Sequence, residues 1–450
     1  MRPCLVPWLL AGALAAGAAT AHAQDEPAEE DDPVATDDAS TEADDDGATP
    51  APPPPPPPRP AETPAPAAHA EATAAGAGEN EAASEESTGD LRERSRLKLG
   101  PITLSPFTLL RVHANPYVGD EARFQSGDIA EQEGFRLRHA RLGVQTDYET
   151  TARLRVSVEL ASSDSGGARI HDAFVGYTPW DYTQLFVGAQ VVPFSRYRLI
   201  RSGRGALIQS PLGSSAMSPG HQVGVVGRGS FWDGALAYQL GVFNGPQRGN
   251  LFYEGYQTNY APFGNRFEGL MYVARLSSDP LGEMARTSAD EEQGPARLGV
   301  GANYFFADGG ARDVHSFGGD AQFKWAGLHL ITEVIWARTV PESVPTAPGA
   351  LPFEITSLSI VAEAGYMILP RMLGVTTRFE WIDPNTATED ETDAWLLTGG
   401  VAFHFVDQIL KAQADYTHRE ERFGLSLPND TVTIALQGMF DPARPRGREN

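Results

Sequence analysis

Four arginines, Arg196, Arg198, Arg201 and Arg204, fall between Phe194 and Gly220 in a stretch that contains no acidic residue. A guanidinium presents a planar fork of donors that meets a carboxylate or phosphate with two parallel hydrogen bonds. Held in a narrow, low-dielectric passage, such a cluster favours anions. Spread over an exterior loop, the same residues would meet anionic lipopolysaccharide. Arg141, Arg153, Arg155 and Lys411 lie on alternating runs and could extend a basic path. The same parity of those runs carries Lys324 and Arg378, but also Asp147, Glu159, Asp320, Glu380 and Asp415. Charge along the runs is therefore near balance and decides nothing alone.

Other chemistry is not indicated. The chain has no phosphate-binding loop, no His-Glu-x-x-His and no clustered metal-ligand spacing. Ser214-Ser215 and the scattered histidines cannot be assembled with a base and an orienting group. Neither an enzyme nor a cofactor, a metal or a nucleic-acid partner is expected.

The elements that must position the arginines come after a long leader. Met1-Arg2 precedes an apolar run from Leu5 to Ala19 and the small-x-small triplet Ala21-His22-Ala23, the pattern of a signal peptide over 1–23. Cys4 is the single cysteine, so the mature chain would hold no disulfide and no thiolate site. Residues 24–90 carry 19 acidic residues against Arg59 alone, with seven consecutive prolines from Pro52 to Pro58. Without aromatics and nearly without branched aliphatics, this stretch is expected to be disordered, with a polyproline II rod inside it. Most of the net charge of −24 belongs here, not to the folded part. A periplasmic spacer, or an arm engaging peptidoglycan or a periplasmic protein, is the functional reading; a solvated tail is the alternative.

From Ile102 the period becomes two. Leu154, Val156, Val158 and Leu160 alternate with Arg153, Arg155, Ser157 and Glu159, and Phe317–Trp325, Leu373–Trp381 and Thr431–Phe440 behave likewise. Strand cores are expected from Ile102, Phe135, Ala152, Ala168, Thr183, Gln222, Ala235, Glu268, Ala296, Val314, Leu328, Thr356, Leu373, Trp395, Gln408 and Thr431, sixteen in all. Long connections (114–134, 161–167, 193–221, 245–267, 306–313, 341–355, 382–394, 419–430) alternate with tight ones such as Ala326-Gly327 and Pro370-Arg371. Long loops at one rim, short turns at the other and an even strand number imply a 16-stranded antiparallel transmembrane β-barrel over 91–440, followed by a short tail over 441–450. The charged connection 278–295 departs from this scheme and is expected to form a small helix. Trp180, Trp232 and Trp325 fall at short-turn ends, Trp336, Trp381 and Trp395 toward the long loops, as two interfacial girdles require. Phe440 ends the closing strand.

Several segments resemble the phosphate-selective porin O/P family. Phe135-Arg136-Leu137-Arg138-His139-Ala140-Arg141-Leu142-Gly143-Val144 is similar to its basic second strand. Asp172-Ala173-Phe174-Val175-Gly176-Tyr177, Val187-Gly188, Pro193-Phe194, Ala364-Gly365-Tyr366, Arg378-Phe379-Glu380, Gly399-Gly400 and Lys411 to Tyr416 follow in its order. The family often has a lysine between Val-Gly and Pro-Phe, where this chain reads Ala189-Gln190-Val191-Val192. The resemblance implies an outer-membrane barrel, often a homotrimer, that conducts small anionic solutes such as phosphate. It also implies that the arginine-bearing third long loop folds into the lumen and narrows it. The N-terminal segment would then lie in the periplasm and the barrel among outer-membrane lipid and lipopolysaccharide.

Overall fold

The computed structural model describes residues 95–119, 133–161, 168–180, 182–200, 202–232, 235–248, 252–257, 269–309, 312–341, 354–406, 409–424 and 428–441. The expected signal peptide, the segment 24–90, most of the C-terminal tail and Arg201 lie outside these described residues.

A short strand β1 (Leu97–Leu99) turns at Gly100 and pairs with the start of β2 (Ile102–Val118). Fifteen further strands follow as a meander: β3 (Gly134–Tyr148), β4 (Ala152–Glu159), β5 (Arg169–Trp180), β6 (Thr183–Val191), β7 (His221–Phe231), β8 (Leu236–Asn244), β9 (Leu270–Ser278) and β10 (Arg297–Asp308). The second half comprises β11 (Arg312–Trp325), β12 (Leu328–Pro341), β13 (Ile355–Leu369), β14 (Leu373–Asp383), β15 (Ala394–Val406), β16 (Leu410–Glu421) and β17 (Thr431–Phe440). Each pairs antiparallel with the next, and β17 returns to β2 with Phe440 opposite Thr108 and Thr431 opposite Val118. The sixteen strands β2–β17 thus close a barrel, and closure leaves no unpaired edge to satisfy in lipid. No helix among the described residues is long and apolar enough to cross a membrane, which for a barrel is no constraint.

The faces are inverted relative to a soluble protein. On β12, Leu330, Val334 and Trp336 are exposed while His329 and Glu333 are buried. Around the barrel Leu142, Val175, Leu240, Ile360, Val401 and Leu436 point outward, and Lys324, Lys411, Gln437 and Arg111 point in. A hydrocarbon exterior accounts for this inversion. Trp180, Trp232 and Trp325 are exposed at the short-turn rim, where Trp180 stacks on Tyr182.

The two-residue turn Ala326-Gly327 has positive φ at both positions, 48° and 92°, as the hairpin-matching type I′ turn requires. Two connections differ from expectation. The 306–313 loop shrinks to 309–311, because β10 and β11 pair out to Asp308 and Asp313. The 279–296 connection forms no helix; it runs irregularly and is held by side chains of the wall. Lys324 Nζ donates to Thr287 O at 2.8 Å and Ala289 O at 2.9 Å, and Gly327 N donates to Asp290 Oδ2 at 2.8 Å. The carbonyls of Thr287, Ser288 and Ala289 are thus satisfied by Gln322 and Lys324 of the wall rather than within a helix.

A basic half-lumen and the loop that masks the acidic half

The third long connection, 192–220, enters the barrel. After Phe194 it forms the single turn α1 (Arg196–Leu199), capped by Ser195, crosses the lumen and forms α2 (Leu212–Met217). Its position follows from carboxylates on β11–β16. Glu333 accepts hydrogen bonds from Ser195 Oγ at 2.9 Å, Arg196 N at 2.6 Å and Ser214 Oγ at 2.6 Å. Asp415 accepts from Ile208 N and Glu380 from Leu212 N, both at 2.6 Å. Phe194 packs edge-on against Phe305 with ring centroids 4.8 Å apart, within a buried apolar cluster that includes Met217, Phe243 and Met271. Close approach is needed too: a Cβ on Gly213 would lie 2.1 Å from Ser359 Oγ.

The four arginines of this loop separate in role. Arg196 donates from Nε to Asp320 at 2.6 Å and from Nη1 to Gln322 at 3.3 Å; Asp320 also holds Arg275 at 2.7 Å. Arg204 pairs with Asp441 at 3.2 Å, just past the last strand. Arg198 faces the cavity, bonds Ser215 O at 2.9 Å and has no carboxylate at ion-pair distance among the described residues. Lys411, expected on a basic path, is buried and donates to Gly203 O at 3.1 Å and Gly205 O at 3.0 Å. It holds the loop.

The loop therefore covers the wall that carries Asp320, Glu333, Glu380 and Asp415 and leaves the opposite wall open. Between the two lies a cavity of about 520 Å³. Ten arginines line it against four carboxylates, Glu159, Asp172, Glu254 and Glu363, and no lysine does so among the described residues. The basic wall is built by β2–β5. Arg111 and His113 come from β2, Arg138, His139 and Arg141 from β3, Arg153 and Arg155 from β4 and Arg169 from β5. Arg141 meets Glu159 at 3.1 Å, Arg153 meets Asp147 at 2.7 Å and Arg155 meets Asp172 at 3.2 Å. These pairs hold the side chains in place and leave an excess of positive charge on the lining.

Two arginines are further fixed by aromatic faces. Phe107 lies across Gly143 on the neighbouring strand, where a Cβ would come within 2.3 Å of the ring, and Arg155 stacks over that ring at 3.8 Å. Phe186 lies across Gly176 in the same way, and Arg228 of β7 stacks on it at 3.5 Å. The glycine lets the ring lie flat against the wall, and the ring presents its negative face to the cation.

Sequence parity had missed Arg111, Arg138, Arg169 and Arg228. For Arg138 the reason is a β-bulge. Arg111 pairs with His139 but Val112 with Leu137, so Arg138 is the extra residue and shares the cavity with His139. The glycines facing Phe107 and Phe186 were the available signal for the stacked arginines.

The fold has known counterparts. An outer-membrane OmpT of Vibrio cholerae superposes with a TM-score of 0.53 at 12% identity, covering 77% of this chain and 100% of that one. A trimer form of in-vitro folded OmpT gives 0.51 at 11% identity, covering 76% and 100%. An anion-selective porin from Comamonas acidovorans gives 0.52 at 12% identity, covering 75% and 100%. Among curated protein sequences none matches. The family model of phosphate-selective porin O and P matches residues 111–439, nearly the whole barrel with both lumen walls and the masking loop, and the chain belongs to that family of outer-membrane porins.

Proposed function

We propose that this porin prefers anions, passing small phosphate- or carboxylate-bearing solutes along the arginine wall. The carrying observation is the segregation of lumen charge. The inserted loop consumes the wall's carboxylates in its own hydrogen bonds, while ten arginines line the remaining cavity against four carboxylates. A fixed positive excess in a narrow passage raises the local anion concentration and opposes cations. Arg198, with Arg155 and Arg141 across the cavity, forms the contact point for a passing anion, and guanidinium forks suit its oxygens. The Comamonas porin, described as anion-selective, has the same fold.

The reading extends to assembly and topology. One relative is described in a trimer form, and a homotrimer in outer-membrane lipid and lipopolysaccharide is the assembly inferred for this chain. The short-turn rim and the segment 24–90 would face the periplasm. Planar-bilayer reversal potentials under a salt gradient test the main proposal. Anion preference is expected, with current reduced by added phosphate. A cation-directed reversal potential would refute it and leave a general diffusion pore.

A further inference from the structure

Strict alternation along β5 would send His171 and Asp172 to opposite faces of the barrel. They do not separate. Ser157 of β4 pairs with Asp172 but Val158 pairs with Ile170, which leaves His171 as the extra residue of a bulge. A bulge re-aims a side chain, and both residues line the cavity. Two strands further on, across β6, β7 opens with His221. Its Nε2 stands 3.3 Å from Asp172 Oδ1, and its ring centroid lies 4.1 Å from that of His171. One ligand atom from each of the three residues falls within 4.8 Å of the others.

We propose that His171, Asp172 and His221 form a site for a divalent transition-metal ion of the zinc class, open to the lumen. Ligand bonds of about 2.0–2.2 Å around a tetrahedral ion place neighbouring ligand atoms about 3.3–3.5 Å apart, and the His221–Asp172 separation has that length. Two imidazoles and one carboxylate are a donor set of open zinc sites, whose fourth position takes water or an incoming anion. The other oxygen of Asp172 is already held, by Arg155 Nε and Ser157 Oγ, each at 3.2 Å, and Ser157 Oγ accepts from Asp172 N at 3.1 Å. This outer layer turns Oδ1 toward the imidazoles, as the support of a metal ligand does. A His221–Asp172 hydrogen bond by itself would require neither the bulge nor the second imidazole.

The surroundings also select the ion. Arg141, Arg155 and Arg169 line the same wall and oppose hard cations bound by charge alone, whereas imidazole nitrogen favours zinc, copper or nickel over calcium or magnesium. The site is independent of the anion preference proposed above, since it would exist in a pore of either selectivity.

Calorimetric titration of the purified full-length protein in detergent with zinc chloride tests it. One saturable site per chain is expected, insensitive to excess magnesium. His171→Ala and His221→Ala should each abolish it, and Ser157→Ala should weaken it about 10–100-fold. Zinc uptake that persists unchanged in the His171→Ala, His221→Ala double variant, or no saturable uptake at all, would overturn the proposal. Should those variants fail to fold, copper(II) electron paramagnetic resonance of the unaltered chain decides. Hyperfine structure from two imidazole nitrogens supports the site; an oxygen-only signal refutes it.

Discussion

Asp393 sits at the rim, at the end of the connection 384–393, buried with one carboxylate oxygen unpartnered. Burial, and then the neighbouring Asp383 and Asp390 carboxylates, push its pKa up to about 7, although Arg422 lies 3.8 Å away. An acid whose folded pKa is raised costs stability progressively as pH climbs from the unfolded value to the folded one, and fully above it. Asp393→Asn is therefore expected to raise the urea midpoint at pH well above 7 and to leave it unchanged at about pH 3, below both values. Midpoints that rise equally at both pH values would count against this reading. Within the lumen, Asp320 is the carboxylate that two buried arginines, Arg196 and Arg275, share as their ion-pair partner among the described residues. Asp320→Asn leaves both charges uncompensated and should cost about 3–5 kcal/mol, read as an earlier unfolding midpoint. Arg155→Ala removes one cation of the open wall. A unit charge about 4 Å from an ion is worth about 1 kcal/mol even in bulk water, so anion entry should fall roughly fivefold and the anion-to-cation permeability ratio by more, since cation entry rises as well. An unchanged ratio would show that ions do not approach the Phe107-stacked guanidinium.

At the scale of elements, the inserted loop is a mask as much as a constriction. Gly213 lets α2 lie against Ser359, and Glu333 collects three donors from both ends of the loop. Gly213→Val should lift the loop from the wall, raising single-channel conductance and shifting the reversal potential toward cations, because Glu333, Glu380 and Asp415 become exposed. Higher conductance with unchanged selectivity would contradict the masking role. The strands were legible in the sequence because lipid outside and polar lumen inside enforce period two on every one of them. Leu154–Val156–Val158 against Arg153–Arg155–Ser157 is the plainest case. The loop was legible as arginine density without acids. Its division of labour was not, because Arg196 and Arg198 differ only in which wall they meet. Bulges hid Arg138 and His171, since one extra residue reverses the parity on which such a reading depends. The connection expected over 278–295 to form a small helix does not, because its chain is held by the wall instead: Asp290 accepts from Gly327 N in the Ala326-Gly327 turn.

On the scale of the whole molecule, charge is distributed in three zones that composition averages away. An acidic leader dominates the net charge of −24, an arginine wall faces the cavity, and a wall of carboxylates interleaved with Arg275, Lys324, Arg378 and Lys411 lies beneath the loop. If the arginine wall sets selectivity, preference for anions should weaken steadily between low and high salt, as the screening length contracts from about 30 Å at 0.01 M to about 3 Å at 1 M. A salt-independent ratio would point to steric selection. Removing 24–90 should not alter the ratio, since the charges invoked for selectivity all lie on the barrel and its loop; a changed ratio would mean the leader contributes to it.

The seam between the first and last barrel strands lies under the same loop. Arg111 of β2 donates to Gln437 of β17 at 2.9 Å and to Ile208 O at 2.9 Å, Gln437 donates to Gly203 O at 2.9 Å, and Arg204 reaches Asp441. The Arg111–Gln437 contact forms only once β17 has met β2, and the others tie the loop to one side of that seam or the other. The anchors on Glu333, Glu380 and Asp415 hold the loop from one wall, and the seam adds the anchors that hold its middle from the other. Closure of the barrel and the bracing of its constriction thus share one set of side chains, so a change at Gln437 should loosen the ring and its loop together.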